Sequence, residues 1–368
     1  MGTVRILHVV TYMGRGGLET MLMNYYRHID RSKVQFDFLV HRDFKADYDD
    51  EILSLGGKIY HLPKLNPLSF QYRRQLNAFF KNHPEYKIVH VHQDCLSAIA
   101  LKAAYKNHVP VRIAHSHSSS QNINLKYILK IIYKRFIPQY ATHMMACSKD
   151  AGQWMFQSSH FQVLSNAIDA KMYTFDVDKR KLQRKSLNIK ENEVLIGHVG
   201  RFRFEKNHTF LIDIFDEIAK QISAKLILVG DGELQNNIKE KIETFKLQDK
   251  VMMTGSRNDV ANLMQAMDVF VLPSLFEGLP LTTIEAQASG LPCLISDKVP
   301  LECKKTDLVQ QIPLSLSAKE WAEIVINVLQ IQRRDTYQEI KNSGFDILEN
   351  AKKLQNFYLN HYVGDSDE

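Results

Sequence analysis

The sequence predicts an α/β protein built as two doubly wound domains in series. Three observations carry this. The 368 residues exceed what one ordinary core organises, so two domains of similar size are expected. In both halves, apolar runs of strand length alternate with segments of helical period. Between the halves, from about Asn166 to Asn192, lies a polar stretch rich in Lys and Asp with no clear period, which reads as the domain junction.

In the first half Val4–Val10 is an apolar strand, and Leu18, Met21, Leu22, Tyr25 and Ile29 repeat at helical spacing. Phe36–Val40 is a strand, and a helix through Ile52–Leu55 stops at Gly56-Gly57. Lys58–Leu62 is a strand closed by Pro63. Strands Ile88–His92, Val111–His115 and Met144–Cys147 follow, with helices over Leu96–Tyr105 and Lys126–Phe136 between them. The second half repeats the alternation. Its strands are Val194–Val199, Lys225–Val229, Val251–Thr254, Val269–Leu272 and Pro292–Ser296. Its helices are Phe210–Ile222, Leu234–Phe245, Val260–Met267 and Thr283–Ser289, followed by late helices at Ala318–Gln330 and Asp346–Tyr362. Runs this apolar suit parallel sheets covered on both faces. The expected boundaries are 1–170 and 171–345, with 346–368 forming a helix that returns to the first domain plus a tail. Residues Gly364–Glu368 of that tail are expected to be disordered. Two such domains should bind a ligand in a cleft at the carboxyl ends of their strands.

Composition narrows the function. Hydrophobic content of 45% and charged content of 24% are those of a soluble globular chain. The net charge of +6 is uneven: residues 1–175 carry 22 Lys and Arg against 12 Asp and Glu, and the remainder 25 against 29. A basic first half suggests an anionic partner, either phosphates or lipid headgroups. Nucleic acid is not expected, because no zinc-finger spacing or RNP-like motif occurs. The four cysteines are widely spaced without CxxC, as in a reduced cytoplasmic protein. No apolar stretch reaches the ~18 residues that span a bilayer.

The most informative segment is Phe276-Glu277-Gly278-Leu279-Pro280-Leu281-Thr282-Thr283-Ile284-Glu285-Ala286, after the strand Val269–Leu272. Glu277 lies on the loop and Glu285, eight positions on, lies inside a helix. Gly278 allows close backbone approach, and Thr282 and Thr283 open the helix, whose free N–H groups favour an anion such as a pyrophosphate. Two acids beside a phosphate seat suit a nucleotide-sugar. Gly200-Arg201-Phe202-Arg203-Phe204-Glu205-Lys206-Asn207 offers a forked guanidinium and a mobile ammonium for phosphate, with a solvated basic loop as the alternative. Gly230-Asp231-Gly232-Glu233 is either a glycine-rich turn or a ligand contact. Gly14-Arg15-Gly16-Gly17-Leu18-Glu19 follows the first strand but fails the dinucleotide fingerprint, since Glu19 takes the third glycine's place. That disfavours a nicotinamide dehydrogenase.

His115 and His117 end the strand Val111–His115, where His117 should reach the cleft. Zinc is not expected there, because no third ligand of recognisable spacing accompanies the pair. His90, His92 and His198 read as structural. The Asp-x-Asp pairs at Asp47/Asp49, Asp176/Asp178 and Asp365/Asp367 fall at a helix start, in the junction and in the tail, so no metal and no cofactor are expected. Leu125–Ile137 is a basic amphipathic segment. Its Lys126, Lys130 and Lys134 share one stripe that could face an anionic membrane, or simply form the outer face of a packed helix.

Together these motifs resemble the family-4 retaining glycosyltransferases of the GT-B fold over nearly the whole chain, and the Ala-His-Ser-His segment resembles the bacterial exopolysaccharide and capsule type. The resemblance rests on Glu277 and Glu285, Gly200-Arg201 with Glu205-Lys206, Gly230-Asp231-Gly232, Gly16-Gly17 and Ser165-Asn166-Ala167-Ile168-Asp169. It implies two Rossmann-like domains facing a cleft, with the acceptor side in the first and the nucleotide-sugar in the second. It implies that Arg201 and Lys206 bind the donor diphosphate and that Glu285 bonds the ribose hydroxyls. Glu277 would sit by the donor sugar with the Gly278–Leu281 backbone, Leu279 included, nearby. Thr282 and Thr283 would stand at the phosphate seat. Gly16 and Gly17 would line the cleft, Gly230 would support the site, and Arg257 would stand where the base is read. His117, or failing it His115, would approach the donor hexose near the reacting carbon. Asn166-Ala167 departs from the Asn-Gly of many members.

The activity so implied is metal-independent, retaining transfer of a hexose or N-acetylhexosamine from a nucleotide-sugar, with UDP the expected nucleotide. The acceptor would be a growing, lipid-linked glycan of a cell-surface polysaccharide, handled in the cytoplasm at the inner face of the membrane. The rivals are a GT-B sugar phosphorylase and a non-catalytic GT-B nucleotide-binding protein.

Overall fold

Apolar runs with few polar interruptions become short parallel strands buried on both faces. The computed structural model describes residues 2–117, 125–157 and 160–362, with only the backbone of 125–127. The Gly364–Glu368 tail lies outside the described residues. The chain divides into two units, 1–167 with 347–368, and 168–346.

The first unit holds seven parallel strands: β1 (Val4–Val9), β2 (Val34–Val40), β3 (Ile59–His61), β4 (Ile88–Val91), β5 (Val111–Ser116), β6 (His143–Ala146) and β7 (Gln162–Val163), in the order β3-β2-β1-β4-β5-β6-β7. The chain winds outward from β1 in one direction and from β4 in the other, so β1 and β4 flank the switch point. Gly16 caps the helix Gly17–His28 just beyond β1. One sheet face packs Tyr25, Phe36 and the C-terminal helix Ile347–His361, which places Tyr358 in the core. The other face packs the helices Phe70–Asn82 and Ser97–Lys106.

The second unit holds β8 (Val194–Val199), β9 (Ala224–Val229), β10 (Val251–Met253), β11 (Val269–Leu272), β12 (Cys293–Ser296) and β13 (Val309–Ile312), in the order β10-β9-β8-β11-β12-β13. Its switch point lies between β8 and β11. Helices His208–Ala219 and Ala318–Val328 cover one face, the latter started by a capping box between Ser317 and Glu320.

The junction is a correction to the sequence reading. It is not aperiodic chain but contains the helices Ala170–Tyr173 and Val177–Ser186. The longer one docks through Arg180 and Arg184, both bonded to Asp268, so its buried side is polar and carries no apolar period. Asp176 caps it, bonding the N–H groups of Asp178 and Lys179. Asp49 accepts from Ala46 N and Asp47 from Arg15 N, which gives these acids structural work. The third Asp-x-Asp pair lies outside the described residues.

Candidate functional site

In the second unit the predicted residues gather where β8, β9, β10 and β11 end. Backbone bonds tie the four loops into one frame. Phe202 N donates to Asp231 O at 2.7 Å, and Leu234 N to Phe202 O at 3.0 Å. Gly230 N donates to Gly255 O at 2.9 Å, and Leu275 N to Glu205 O at 2.8 Å. Gly230 has φ +142°, and a Cβ there would overlap Gly200 O, so glycine is required for these loops to touch.

Lys206, beyond β8, reaches the loop beyond β11 and places Nζ 2.6 Å from Glu277 Oε1. The same carboxyl oxygen accepts from Ser274 Oγ at 2.7 Å, and Ser274 O is held by Ser296 Oγ. Asn207, in a left-handed conformation at φ 53°, donates Nδ2 to Pro273 O at 3.1 Å and fixes the spacing of the two loops. Arg201 is exposed at the end of β8. Gly278 has no heavy atom within 4 Å of a would-be Cβ, so its surroundings are open. Leu279 packs partly against the core.

Helix Leu281–Ala288 begins after Pro280 without a side-chain cap. The hydroxyls of Thr282 and Thr283 are buried and have no hydrogen-bond partner among the described residues. Buried polar atoms are normally paired, so two orphan hydroxyls at a positive helix end mark a place for an anion or a polar ligand. Glu285, one turn on, is half-buried. Desolvation pushes its carboxyl up to about 7, opposed by a hydrogen bond from Tyr173. Arg257, beyond β10, is held by Asp259 on its own loop at 2.8 and 2.7 Å.

Sequence reasoning missed Ser274 and Tyr173; Asn207 closed the basic loop it singled out, without a role assigned. A Pro-Ser pair directly after a buried strand is a faint signal for Ser274. Tyr173 had none, because it lies in the segment taken as junction.

In the first unit Gly16 N bonds Gly14 O, and Glu19 folds back so that a Cβ on Gly16 would meet its carboxyl. Gly17 is exposed with open space around it. His115 is buried on β5, and His117 is partly exposed just after it. Neither is isolated. His117 Nε2 lies 2.9 Å from His92 Nδ1, and His115 Nδ1 lies 3.1 Å from His90 Nε2. His92 Nε2 lies 3.1 Å from His8 Nδ1, and His90 Nδ1 lies 2.7 Å from Tyr358 Oη. Burial lowers the pKa of all five, to about 3 for His8 and His117. His90 and His92 therefore have a context the sequence did not reveal, and a third imidazole does accompany the His115/His117 pair. Among the described residues, the groups able to hold a metal are His8/His90/His92 and His92/His115/His117. His198 is buried in the second unit with Nδ1 against Val271 O.

The basic helix is described in part. Lys134 is buried over the Trp154 ring at 4.4 Å, and burial pushes the Asp94 carboxyl up, opposed in part by the charges of Lys130 and Lys134. The side chain of Lys126 lies outside the described residues. The outward face instead shows Ile128 (68% exposed), Ile132 (48%) and Phe136 (44%). Desolvation of the Lys134 ammonium is offset by the Asp94 charge and the Trp154 ring, which holds that lysine inward, while Lys130 is half-buried. Beside it, Arg73, Ile99, Lys102 and Tyr133 help line a cleft of about 630 Å³. No helix among the described residues is long and apolar enough to cross a membrane.

Residues 179–342 match the family described as glycosyl transferases group 1, and residues 15–171 match glycosyltransferase family 4. EpsF of Bacillus subtilis (strain 168), which carries the name of a glycosyltransferase, is 38% identical over 373 residues, 96% of each chain. The Escherichia coli UDP-Gal:alpha-D-GlcNAc-diphosphoundecaprenol alpha-1,3-galactosyltransferase is 28% identical over 301 residues, 76% of each chain. Anabaena HepE, solved with UDP and glucose, superposes with a TM-score of 0.76 at 17% identity, covering 97% of this chain and 100% of that one, a likeness of fold.

Proposed function

Because this chain belongs to the GT-B glycosyltransferases of family 4, of the bacterial exopolysaccharide and capsule type, we propose that it transfers a hexose or N-acetylhexosamine, with retention, from a UDP-sugar to a growing lipid-linked glycan. The observation that carries this reading is the Lys206–Glu277 pair beside the unpartnered Thr282 and Thr283 hydroxyls. It supplies a fixed cation, a carboxylate and a positive helix end at a strand switch point, the set a nucleotide-diphosphate sugar requires.

In the proposed step the acceptor oxygen bonds the anomeric carbon on the face the diphosphate leaves. The carbon–oxygen bond to the diphosphate breaks, and the acceptor proton passes to the departing phosphate oxygen. Charge builds on that diphosphate. Arg201, Lys206 and the N–H groups opening helix Leu281–Ala288 stabilise it, in place of a divalent ion. Ser274 keeps the Glu277 carboxylate in position near the sugar, and Glu285 is the proposed ribose partner. Arg257 is proposed to read the base, and Gly16, Gly17 and Gly230 to let backbone approach the ligand. His117 is the proposed hydrogen-bond partner of a hexose hydroxyl. The protein is proposed to work in the cytoplasm at the membrane that carries its acceptor.

The support against a phosphorylase or a non-catalytic binder is kinship with polysaccharide transferases along the full chain. Incubation with a panel of nucleotide-sugars and a diphosphate-lipid acceptor, with and without EDTA, tests the reading. Expected are release of UDP with a glycosylated, α-configured product, and unchanged turnover in EDTA. Sugar release that needs inorganic phosphate instead of a nucleotide would overturn it.

A further inference from the structure

Five imidazoles crowd one face of the first sheet: His8 on β1, His90 and His92 at β4, His115 and His117 at β5. Register brings them together. His8 pairs with His90, and the pairing of Val91 with Ala114 carries His92 alongside His115. Of their ten ring nitrogens, seven are engaged in the His8–His92, His92–His117, His90–His115 and His90–Tyr358 contacts. The other three, His8 Nε2, His115 Nε2 and His117 Nδ1, are buried without a partner among the described residues. A buried polar atom left unpaired costs about 1–3 kcal/mol, and of these three His115 Nε2 is the one a cation shared with His92 and His117 would engage.

We propose that His92, His115 and His117 form a binding site for a zinc-class divalent cation. One nitrogen from each lies within 4.8 Å of the others. His92 offers Nδ1, because its Nε2 is turned to His8. His115 offers Nε2, because its Nδ1 is turned to His90. His117 completes the set with a ring nitrogen at the strand end. Zinc–nitrogen bonds of about 2.0–2.1 Å separate tetrahedral ligand atoms by roughly 3.3 Å. The 2.9 Å between His92 Nδ1 and His117 Nε2 therefore opens by a few tenths of an ångström.

The support behind the ligands is already in place. Coordination through His115 Nε2 fixes its proton on Nδ1, which donates to His90 Nε2, and His90 Nδ1–H donates in turn to Tyr358 Oη. Coordination through His92 Nδ1 leaves Nε2–H to donate to His8 Nδ1. Metal-ligating histidines are held in this manner by a partner on the second nitrogen. Every donor here is an imidazole, which selects zinc, cobalt, nickel or copper over magnesium or calcium. The partial exposure of His117 gives the cation a way in, and three protein ligands leave a fourth position for water.

The site belongs to the first unit and does not rest on the transfer reading. A cation there would draw His117 away from a sugar hydroxyl, so excess zinc is expected to slow transfer while EDTA leaves it intact. Binding is measured without activity. Chelator-stripped protein is titrated with Co²⁺, followed by visible ligand-field absorption, and Zn²⁺ is then added to displace it. Expected are one Co²⁺ per chain with the intense bands of a tetrahedral site, loss of the bands on adding Zn²⁺, and at least a 100-fold weaker affinity in His92→Gln and in His115→Gln. His143→Gln/His361→Gln, which removes another histidine pair of the same unit, should bind as the parent does. Absence of the bands in the parent protein overturns the proposal whatever the variants do. So does a signal that survives in folded His115→Gln or disappears in the His143/His361 variant.

Discussion

Lys206 Nζ and Glu277 Oε1 meet at 2.6 Å between loops that follow strands adjacent in the sheet but far apart in the chain. Both side chains are largely buried, and Glu277 is additionally held by Ser274. Lys206→Met should therefore cost about 1–3 kcal/mol of stability, the price of a buried charge short of a partner. Adding Glu277→Gln should restore much of that, since the stranded carboxylate is gone. Activity should not follow stability. The single and the double variant should each lose roughly 100- to 1000-fold in kcat, as expected for removing a group that stabilises charge in the transition state. Denaturant melts and kcat on the same preparations separate the two; recovery of turnover in the double variant would deny Lys206 its role.

Two glycines near this pair make opposite predictions. Gly230 sits at φ +142°, where an added Cβ would overlap Gly200 O. Gly230→Ala should destabilise the unit by about 3 kcal/mol or more, through strain and overlap together. Gly278 faces open space. Gly278→Ala should shift stability by less than about 1 kcal/mol, yet weaken UDP-sugar binding at least tenfold if the ligand packs against that backbone. Thermal melts alongside calorimetric titration with UDP decide it; unchanged affinity would place the ligand elsewhere.

Most of the architecture was legible because buried parallel strands are written as apolar runs. Val269–Leu272 has no polar residue to obscure it, and its predicted bounds match the observed ones. What stayed hidden depended on partners distant in sequence. The helix Val177–Ser186 buries Arg184 against Asp268, so no apolar stripe announced it. The helix Phe70–Asn82 buries only Tyr72, Leu76 and Phe80, too sparse a stripe to stand out. In the site, Glu277 and Lys206 were readable from loop chemistry, but their mutual bond needs the order of β8 and β11. The histidine cluster needs the order of β1, β4 and β5, which no local pattern contains. The direction of the lysine stripe stayed open because helical period shows which residues share a face and not which way that face turns; the fold buries Lys134.

Glu285 gives a pH signature. Its folded carboxyl titrates at about 7, above its ordinary 4.5. Between those values the folded chain holds a proton that the unfolded chain has lost, so stability falls as pH rises through this window and levels off above it. Glu285→Gln removes the dependence. Relative to the parent, the variant should gain about 1–3 kcal/mol on going from pH 4.5 to pH 8, while donor affinity drops through loss of the proposed ribose contact. Tyr173→Phe should act the other way, raising the Glu285 pKa further and deepening the loss at high pH. Urea melts of the three proteins across this range are the measurement; parallel pH profiles would show that Glu285 is not the group responsible.

The outward face of helix Leu125–Lys134 bears on membrane attachment. With Lys134 buried over Trp154, Lys130 half-buried, and Ile128 and Ile132 exposed, attachment through this helix should depend more on apolar insertion than on lipid charge. Each isoleucine buried in the acyl boundary contributes on the order of 1.5–3 kcal/mol. Ile128→Ser/Ile132→Ser should then reduce co-sedimentation with liposomes at least tenfold, on neutral and anionic vesicles alike. Lys130→Gln should change it little. Strong preference of the parent for anionic vesicles, unaffected by the isoleucine changes, would move the contact to another basic surface, such as Arg73 and Lys102 beside the neighbouring cleft.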